Sequence, residues 1–469
     1  MSSPLVTGGC IALKSKLNGK YLRYSPQNGK ILEVSGEDAL SPYTRFNVEP
    51  SKEHDGHVHI RCCYNNKYWV ARDVNQEWCL MGDANEPVED LSDPSSTLLL
   101  HKPNSDNVDN VNLQHARLKR SIYMLPDAHP TAKTHRAGSL LLGNKDKPDE
   151  DAHMFTVINL KGQMLLPKHV GFKGDNGMYL SASKASYNYL KFSSDDIADS
   201  TVRNIIHTNS DGTIRIYSSH YGKFWRRSPN WIWGDSSDTT SRNPDTVFRA
   251  ILLGDGAKCA LQNLGNNKFC KRLTADGKTN CLNADVLTIT REAQLELHET
   301  VISRRIYGVE YHLNDVNIHG LKPRTFFKKT VTNNSSEPHK SKIIIDYSVT
   351  TERRWDSNVS WKLGVNTTIT AGVPEIAEVS IEISTEFSGS YTWGETQSHT
   401  EHQSNEEEME VPPHKELTIS VVATEGTCDI PFSYYQEDIL TTGEKVVTKM
   451  DDGIYRGVNS YGFHTVISD

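Results

Sequence analysis

The segment Asn176-Gly177-Met178-Tyr179-Leu180 decides the fold, because it recurs twice downstream. Tyr221-Gly222-Lys223-Phe224-Trp225 and Asn266-Asn267-Lys268-Phe269-Cys270 follow at intervals of 45 residues. An earlier block carries the same theme as Asn18-Gly19-Lys20-Tyr21-Leu22 and Asn65-Asn66-Lys67-Tyr68-Trp69, with a degenerate third copy around 120–123. Fixed-period similarity indicates copies of one supersecondary unit. The first three hundred residues therefore contain two triplets of repeats.

Each copy has the pattern of short strands joined by tight turns. Asn-Gly supplies the positive φ angles that a two-residue hairpin turn requires, and an aromatic strand follows it. Three such units fit a closed threefold barrel with a hairpin cap, the β-trefoil, which leaves no exposed strand edge. A β-propeller is the alternative, but it needs more contiguous copies and a GH…WD signature that is missing. The sequence predicts two tandem β-trefoils, at 1–158 and 159–300.

Composition excludes several classes of protein. The chain has 469 residues, with 51 Lys plus Arg against 59 Asp plus Glu, and its net charge of −8 argues against a nucleic-acid partner. Its eight cysteines form no CxxC pair, which predicts reduced, mostly buried thiols rather than a disulfide scaffold or a zinc ribbon. The first residues lack a basic segment followed by an apolar core, so we expect cytoplasmic or nucleocytoplasmic synthesis without a signal peptide.

Two aromatic motifs connect the repeats to a known family. Cys62-Cys63-Tyr64-Asn65-Asn66-Lys67-Tyr68-Trp69 in the first triplet and 223–233, which reads KFWRRSPNWIW, in the second resemble amaranthin, the plant agglutinin. The resemblance covers about residues 5 to 298. It implies a lectin of two domains that dimerises head to tail. By the same resemblance, Galβ1,3GalNAc would bind between the first domain of one subunit and the second domain of its partner.

A sugar site needs an aromatic ring for the apolar face of the sugar and amide or carboxylate groups for its hydroxyls. The loops after the aromatic strands supply both. The candidate carbohydrate-binding residues are Asn75, Trp78, Asn230, Trp231 and Trp233. Packing into the fold is the alternative for each of them. Packing is the expected role of Trp69, Trp225 and the recurring aromatic residues Tyr21, Tyr68, Tyr179, Phe224 and Phe269.

The last part of the chain, 301–469, follows a different pattern of long alternating strands. Within 361–393 the expected turn with an apolar tip is 372–377, and in the runs on either side of it nearly all odd positions are apolar or small and nearly all even positions are polar. One face carries Val365, Ile369, Val373, Val379, Ile381, Ile383 and Phe387. The opposite face carries Glu378, Glu382 and Glu386. This is either the hairpin of a half-buried antiparallel sheet or one hairpin of a transmembrane β-barrel.

Two strands cannot close a barrel, so the second interpretation requires several chains to assemble. Val331-Thr332-Asn333-Asn334, 391–396 (YTWGET), 411–415 (VPPHK) and 453–459 (GIYRGVN) resemble the pore-forming module of aerolysin-like proteins over about residues 305 to 465. The resemblance implies receptor binding, ring assembly and a barrel to which each chain adds its hairpin. In that barrel the apolar side chains of the hairpin, from Val365 to Phe387, would face lipid. The three glutamates would line the lumen and favour cations.

No catalytic motif is present: GxSxG, GxxxxGK[ST], GxGxxG and HExxH are all missing. His54, His57 and His59 form one cluster, but a metal site needs further donors. The sequence therefore predicts neither an enzyme, nor a cofactor, nor a metal. It predicts a chimerolectin for Gal/GalNAc-type glycans with an oligomerising, pore-forming module, and the resemblance implies plant defence at foreign or damaged-cell membranes. The alternative is a stress lectin whose last module serves only oligomerisation or interaction.

Overall fold

The structure, a computed structural model, describes residues 8–103, 109–126, 137–143, 150–160, 165–182, 188–254, 258–357, 365–378 and 380–469. These residues form strands and short 3-10 helices, without an α-helix. The 3-10 helices are Pro26–Asn28, Glu150–His153, Pro244–Thr246, Arg291–Ala293 and Leu313–Asp315. No helix in this part of the chain has the length and apolar character needed to cross a bilayer. The predicted all-β class is confirmed.

The first twelve strands form one sheet. They are β1 (Gly9–Ser15), β2 (Tyr21–Ser25), β3 (Ile31–Gly36), β4 (Phe46–Pro50), β5 (His57–Cys62), β6 (Tyr68–Val74), β7 (Glu77–Ala84), β8 (Leu99–Pro103), β9 (Asn110–His115), β10 (Arg120–Met124), β11 (Leu140–Gly143) and β12 (Met154–Asn159). Strands β1, β4, β5, β8, β9 and β12 pair in that order and close on β1, which we call the first ring. The hairpins β2–β3, β6–β7 and β10–β11 cap it.

The next twelve strands repeat this arrangement. They are β13 (His169–Lys173), β14 (Tyr179–Ala182), β15 (Leu190–Ser194), β16 (Asn204–Thr208), β17 (Ile214–Ser218), β18 (Lys223–Arg227), β19 (Ile232–Ser236), β20 (Phe248–Leu253), β21 (Lys258–Asn263), β22 (Lys268–Ala275), β23 (Lys278–Val286) and β24 (Leu295–Glu299). Strands β13, β16, β17, β20, β21 and β24 close the second ring, and β14–β15, β18–β19 and β22–β23 cap it.

The repeated aromatic residues pack as expected. Trp69 and Trp225 are fully buried, and each contacts the phenylalanine of a neighbouring ring strand, Phe46 and Phe248 respectively. The recurring aromatic positions are also buried, at Tyr21, Tyr68, Tyr179, Phe224 and Phe269. All eight cysteines are unbridged and seven are buried, as predicted. Burying large aromatic rings removes apolar surface from water, so the aromatic residue that five of the six repeats carry stabilises the rings.

The remaining strands are longer. They are β25 (Val301–Tyr311), β26 (Asn317–Asn333), β27 (His339–Ser357), β28 (Thr367–Ala377), β29 (Ser380–Thr392), β30 (Gln397–Val411), β31 (Lys415–Leu440) and β32 (Lys445–Ser468). The described residues divide into two compact units. The first unit comprises the residues up to Arg305 together with Gln436–Thr448. The second unit comprises Ile306–Ser357, Thr368–Tyr435 and Lys449–Asp469. The domain boundaries at 158 and 300 stay predictions.

One buried histidine gives the first ring a pH-dependent stability. His115 is 1 % exposed, its Nε2 lies 3.2 Å from the Ser96 carbonyl, and its Nδ1 accepts the Leu118 N–H at 3.3 Å. Burial lowers the pKa of His115 to about 4. The unfolded pKa is about 6.5, so the stabilisation is present above that pH and is lost as pH falls toward 4.

We therefore expect the free energy of unfolding to fall by up to about 3 kcal/mol between pH 7 and pH 4 through this residue. Urea denaturation at several pH values should show a shallower pH dependence in His115→Gln. The exposed His220 is a matched control, and His220→Gln should keep the wild-type slope. An unchanged slope in His115→Gln would contradict the assignment.

Candidate functional site

The hairpin β18–β19 brings together the three candidate residues of the second ring. Trp231 is only 6 % exposed, whereas Trp233 is partly exposed and donates its Nε1–H to the Ser228 carbonyl at 2.7 Å. Tyr189 meets Trp233 edge to face, with ring centroids 6.0 Å apart. Trp233 is thus the indole of this pair that solvent partly reaches.

Polar groups surround these rings. The Lys278 ammonium lies 4.9 Å from the Trp231 centroid and 6.0 Å from the Trp233 centroid. Asn230 donates its side-chain amide to Asp285 at 3.3 Å, and its carbonyl accepts the Ala284 N–H at 2.8 Å. We call Asn230, Trp231, Trp233 and Lys278 the second-ring site. It combines a partly exposed indole with a cation and an amide, beside the Asp285 carboxylate, which suits a polyhydroxylated ligand.

The first ring carries its candidates at the tip of β6–β7. Asn75 and Gln76 have φ of 54° and 68°, the two positive angles of a tight hairpin turn, and Asp73 pairs with Trp78 across it. Asn75 is exposed, while Trp78 is half-buried and packs against the ring's core. The residues around Asn75 and Trp78, which were expected in a loop after the aromatic strand, therefore form the tip of a hairpin. It places Asn75 and Trp78 on the same tip.

The histidine cluster does not form a metal centre. His54 and His57 lie with ring centroids 5.8 Å apart, but His59 is buried and bonded to Thr97 at 2.7 Å. Among the described residues no group of three or more His, Cys, Asp or Glu side chains could hold a metal ion. His59 also lies 3.2 Å from Glu89, so the cluster serves local packing and hydrogen bonding.

The segment expected as a membrane hairpin is a hairpin, but its turn lies elsewhere. Gly372–Ala377 was the expected turn, and the structure corrects this: these residues belong to β28, and the chain turns after it, at Glu378. Pro374 pairs with Ile383 within the strand. The register shifts between Ala371 and Val373, so the strict odd–even alternation breaks at that bulge.

The side chains of the hairpin divide between the core and solvent. Ile369 and Val373 are fully buried, Val365 and Ile381 are half-buried, and Ile383 is 40 % exposed. Glu378 and Glu382 are exposed. Val379 and the side chains of Glu386 and Phe387 lie outside the described residues. The buried members pack with Trp355, Phe432 and Tyr455, so here the apolar face meets protein.

Side chains from the underlying strands hold the backbone of β28. Tyr311 Oη donates to the Gly372 carbonyl and Tyr455 Oη to the Pro374 carbonyl, both at 2.8 Å. Asn459 donates to the Ile376 carbonyl and accepts the Ile376 N–H, both at 2.9 Å. We call Tyr311, Tyr455 and Asn459 the hairpin clamp.

The clamp has a charged neighbour and a cavity. The nearly buried Arg353 lies 3.2 Å from Glu375 on β28, opposite Glu382. A cavity of about 390 Å³ is lined by Arg353, Glu375 and Asn459 among others. Water entering there can compete for the hydrogen bonds of the clamp. The hairpin is thus docked through specific polar contacts as well as apolar packing.

Comparison with known families identifies the protein family of the two rings. The Agglutinin domain model matches residues 8–126 and 164–300, more than half of the chain, and these ranges contain both rings apart from the last strand of the first. The chain belongs to the Agglutinin domain family. Agglutinin domains are in general carbohydrate-binding modules. Lectins of this kind are in general not enzymes.

Relatives and solved structures match parts of this agglutinin-domain protein. Natterin-1 of Thalassophryne nattereri is 30% identical over 173 residues, 37% of this chain and 48% of the relative, and natterin-2 is 29% identical over 192 residues, 40% and 50% respectively. The chain spans about half the length of these curated relatives. The solved structure of an aerolysin-like protein from Bombina maxima matches with 13% sequence identity and a TM-score of 0.24. The match covers 35% of this chain and 97% of the chain of that protein.

Several residues at these sites were not predicted from the sequence. Lys278 follows the Asp276-Gly277 turn of the third repeat, and comparing that loop with the loops of the other repeats would have pointed to it. Asp285 lies on the same hairpin as Lys278 but within β23, and Tyr189 immediately precedes β15, so no turn marks either residue. The clamp residues Tyr455 and Asn459 are about 80 residues from their partners in the sequence, and no local pattern marks them.

Proposed function

We propose that this agglutinin-domain protein is a chimerolectin: two β-trefoils bind a Gal/GalNAc-containing glycan, and an aerolysin-like module inserts the hairpin β28–β29 into membranes. The observation that carries the proposal is the docked hairpin. An amphipathic β-hairpin is held on the second unit by a small set of polar contacts, in a chain whose other part belongs to a lectin family.

The ring geometry supports the β-trefoil assignment. Each ring has six strands and three capping hairpins, the number that three four-stranded units would supply. One residue per unit has a positive φ at the equivalent turn: Gly19, Asn66, Lys119, Gly177, Gly222 and Asn267. Six equivalent turns at one backbone conformation support a threefold repeat in each ring.

The second-ring site supports glycan binding. Trp233 offers a face for the apolar side of a galactose-type ring, and Asp285 and Lys278 lie near enough to meet its hydroxyls. Galβ1,3GalNAc is the proposed ligand through the resemblance to amaranthin. Asn75 and Trp78 form the corresponding candidate pair on the first ring.

Charge on two open strand edges supports self-association. Within the described residues β26 pairs only with β31, and β30 only with β27. Strand β26 carries Lys322, Arg324, Lys328 and Lys329 without an acidic residue, and β30 carries Glu401, Glu406, Glu407, Glu408 and Glu410. Opposite charges on two different edges favour head-to-tail contact between copies, the heterologous type that builds rings. In an oligomer of this kind, Glu378, Glu382 and Glu386 would face the lumen of the shared barrel.

The burial of Ile369 and Val373 favours a second candidate, a stress lectin whose last module is a stable β scaffold for interaction. Defence of the producing organism against pests, with synthesis in the cytoplasm and action at foreign or damaged-cell membranes, is part of the main proposal. Tracing the protein in wounded tissue tests that part.

Dye release from liposomes tests the function directly. We expect the full chain to release dye only from vesicles that carry a Galβ1,3GalNAc lipid. Trp233→Ala should lower glycan affinity at least about tenfold, because stacking on an exposed indole dominates such sites. It should reduce leakage in parallel. Trp78→Ala is the matched variant on the first ring and reports whether that ring binds as well.

Glu382→Leu separates binding from insertion. It should keep glycan affinity and reduce leakage, since it removes a charge from the proposed lumen face. Glycan binding without leakage from any vesicle would support the stress-lectin candidate. Leakage that does not depend on the glycan, or glycan affinity unchanged in both tryptophan variants, would contradict the lectin-targeted pore.

A further inference from the structure

One face of the paired strands β27 and β30 lines the cavity beside the hairpin clamp. Side chains two residues apart point to the same side of a strand, so the odd positions 347–353 of β27 and 399–403 of β30 meet there. Glu375 of β28 and Phe463 of β32 also line it, and all of these residues belong to the second unit. Its volume of about 390 Å³ lies in the range of cavities that bind small ligands.

Two aromatic rings belong to this lining. Tyr347 and Phe463 are stacked, with ring centroids 6.0 Å apart and ring planes 21° from parallel. Phe326 packs against both rings, yet Phe463 remains 39 % exposed. The π system of an aromatic ring carries negative charge on its faces and attracts cations. The rings therefore give the cavity a wall that is both apolar and attractive to a cation.

The charged groups of the lining add to this preference. The nearly buried Arg353 lies 3.2 Å from Glu375, so the charges of these two side chains offset each other. The exposed Glu401 has His399 beside it at 3.3 Å. The lining thus contains two carboxylates and one guanidinium, an excess of one negative charge while the histidine is neutral. A cation is attracted to such a lining and an anion is repelled by it.

We propose that this cavity binds a quaternary ammonium group of the choline type. Its methyl groups would contact Tyr347 and Phe463, and Glu401 would balance its charge. A quaternary ammonium has no N–H that needs an acceptor, so aromatic rings and one carboxylate suffice to hold it. A metal ion needs several donors, and the described residues include no group of three or more His, Cys, Asp or Glu that could supply them.

Such a ligand would hold the hairpin β28–β29 in place. Glu375 belongs both to β28 and to the cavity, so the lining is complete only while β28 lies against the other strands. Asn459, which binds the backbone of Ile376, lines the cavity as well. A ligand that binds one state of a protein stabilises that state by mass action. Bound ammonium should therefore oppose opening of β28, and this inference does not depend on the proposed pore or on glycan binding.

Calorimetric titration of the full chain with choline chloride at pH 8, against a sodium chloride blank, tests the proposal. We expect saturable binding of one choline per chain. Glu401→Gln and Phe463→Leu should each lower the affinity at least about fivefold, because they remove the carboxylate and one aromatic ring. Choline at ten times its dissociation constant should slow hydrogen exchange at the Ile376 amide about tenfold.

The matched control is a glutamate on the same strand. Glu406 is exposed and lies 3.0 Å from Lys342, outside the cavity lining. Glu406→Gln makes the same change of charge as Glu401→Gln and should keep the affinity for choline. Absence of saturable binding by the unaltered chain, equal losses in Glu401→Gln and Glu406→Gln, or unchanged exchange at Ile376 with choline bound would each overturn the proposal.

Vesicles distinguish two sources of the ammonium group. If a lipid headgroup reaches the cavity, vesicles of dioleoylphosphatidylcholine should displace bound choline, and vesicles of dioleoylphosphatidylglycerol, which lack the ammonium, should not. Choline binding that neither vesicle disturbs would assign the cavity to a small free ammonium compound. Equal displacement by both vesicles would mean that the ammonium group is not recognised, and would overturn the proposal.

Discussion

Replacing Arg304 with alanine is expected to lower the free energy of unfolding of the first unit by about 3–5 kcal/mol. Arg304 is 5 % exposed and lies between Glu299 and Asp438, which are each 7 % exposed. Its Nη1 donates to Glu299 at 2.9 Å and its Nε to Asp438 at 2.7 Å, and Nη2 binds both carboxylates. Burial alone would lower the pKa of Arg304, but these hydrogen bonds raise it.

The effect is large because the alanine variant leaves two carboxylates buried without their cation. Desolvating a charge is costly, and the paired geometry offsets this cost only while all partners are present. The contact joins the end of β24, the start of β25 and the end of β31. Losing it should also lower the thermal midpoint by about 10 °C.

The adjacent arginine is the matched control. Arg305 is exposed and lies 3.4 Å from Glu437, so Arg305→Ala should change the free energy of unfolding by less than about 1 kcal/mol. The triple variant Arg304→Met, Glu299→Leu, Asp438→Leu removes all three charges and should be more stable than Arg304→Ala. Urea denaturation compares them, and equal losses in Arg304→Ala and Arg305→Ala would contradict the argument.

The strand content and the repeated hairpins of the rings could be predicted because their signal is local and repeated. Tyr179, Phe224 and Phe269 lie 45 residues apart, and each stands directly after its turn and is buried. A turn residue with positive φ and an aromatic residue beside it are constraints within one hairpin. Five of the six repeats carry both constraints, and Ser121 replaces the aromatic residue in the sixth, so the pattern indicates one repeated hairpin unit.

The sites were harder to predict because they depend on contacts between distant segments. Trp231 was a candidate for sugar contact with packing as the alternative, and Lys278 and Asn283 approach it from another hairpin, so that it is buried. Gly372 and Pro374 mark a turn by composition. Pro374 nevertheless lies within β28, where its carbonyl accepts a hydrogen bond from the hydroxyl of Tyr455 on β32.

Replacing Asn459 with alanine is expected to weaken the contacts that hold the hairpin β28–β29 against the other strands of the second unit. Asn459 is 6 % exposed and Ile376 is 2 % exposed, so the variant leaves the N–H and the carbonyl of Ile376 buried without their partner. An unsatisfied buried polar group costs about 1–3 kcal/mol, and two are created here. Opening of β28 should therefore become at least about 30-fold more frequent.

Hydrogen exchange at the Ile376 amide measures this opening without reference to a membrane. Tyr455→Phe is the graded control: it removes one hydrogen bond, to Pro374, and should speed exchange of the neighbouring amides by about tenfold or less. If the hairpin inserts into bilayers, dye release should rise in the same order, from the unaltered chain to Tyr455→Phe to Asn459→Ala. Unchanged exchange at Ile376 in Asn459→Ala would contradict the clamp, whereas faster exchange with unchanged dye release would leave the clamp intact and contradict insertion of this hairpin.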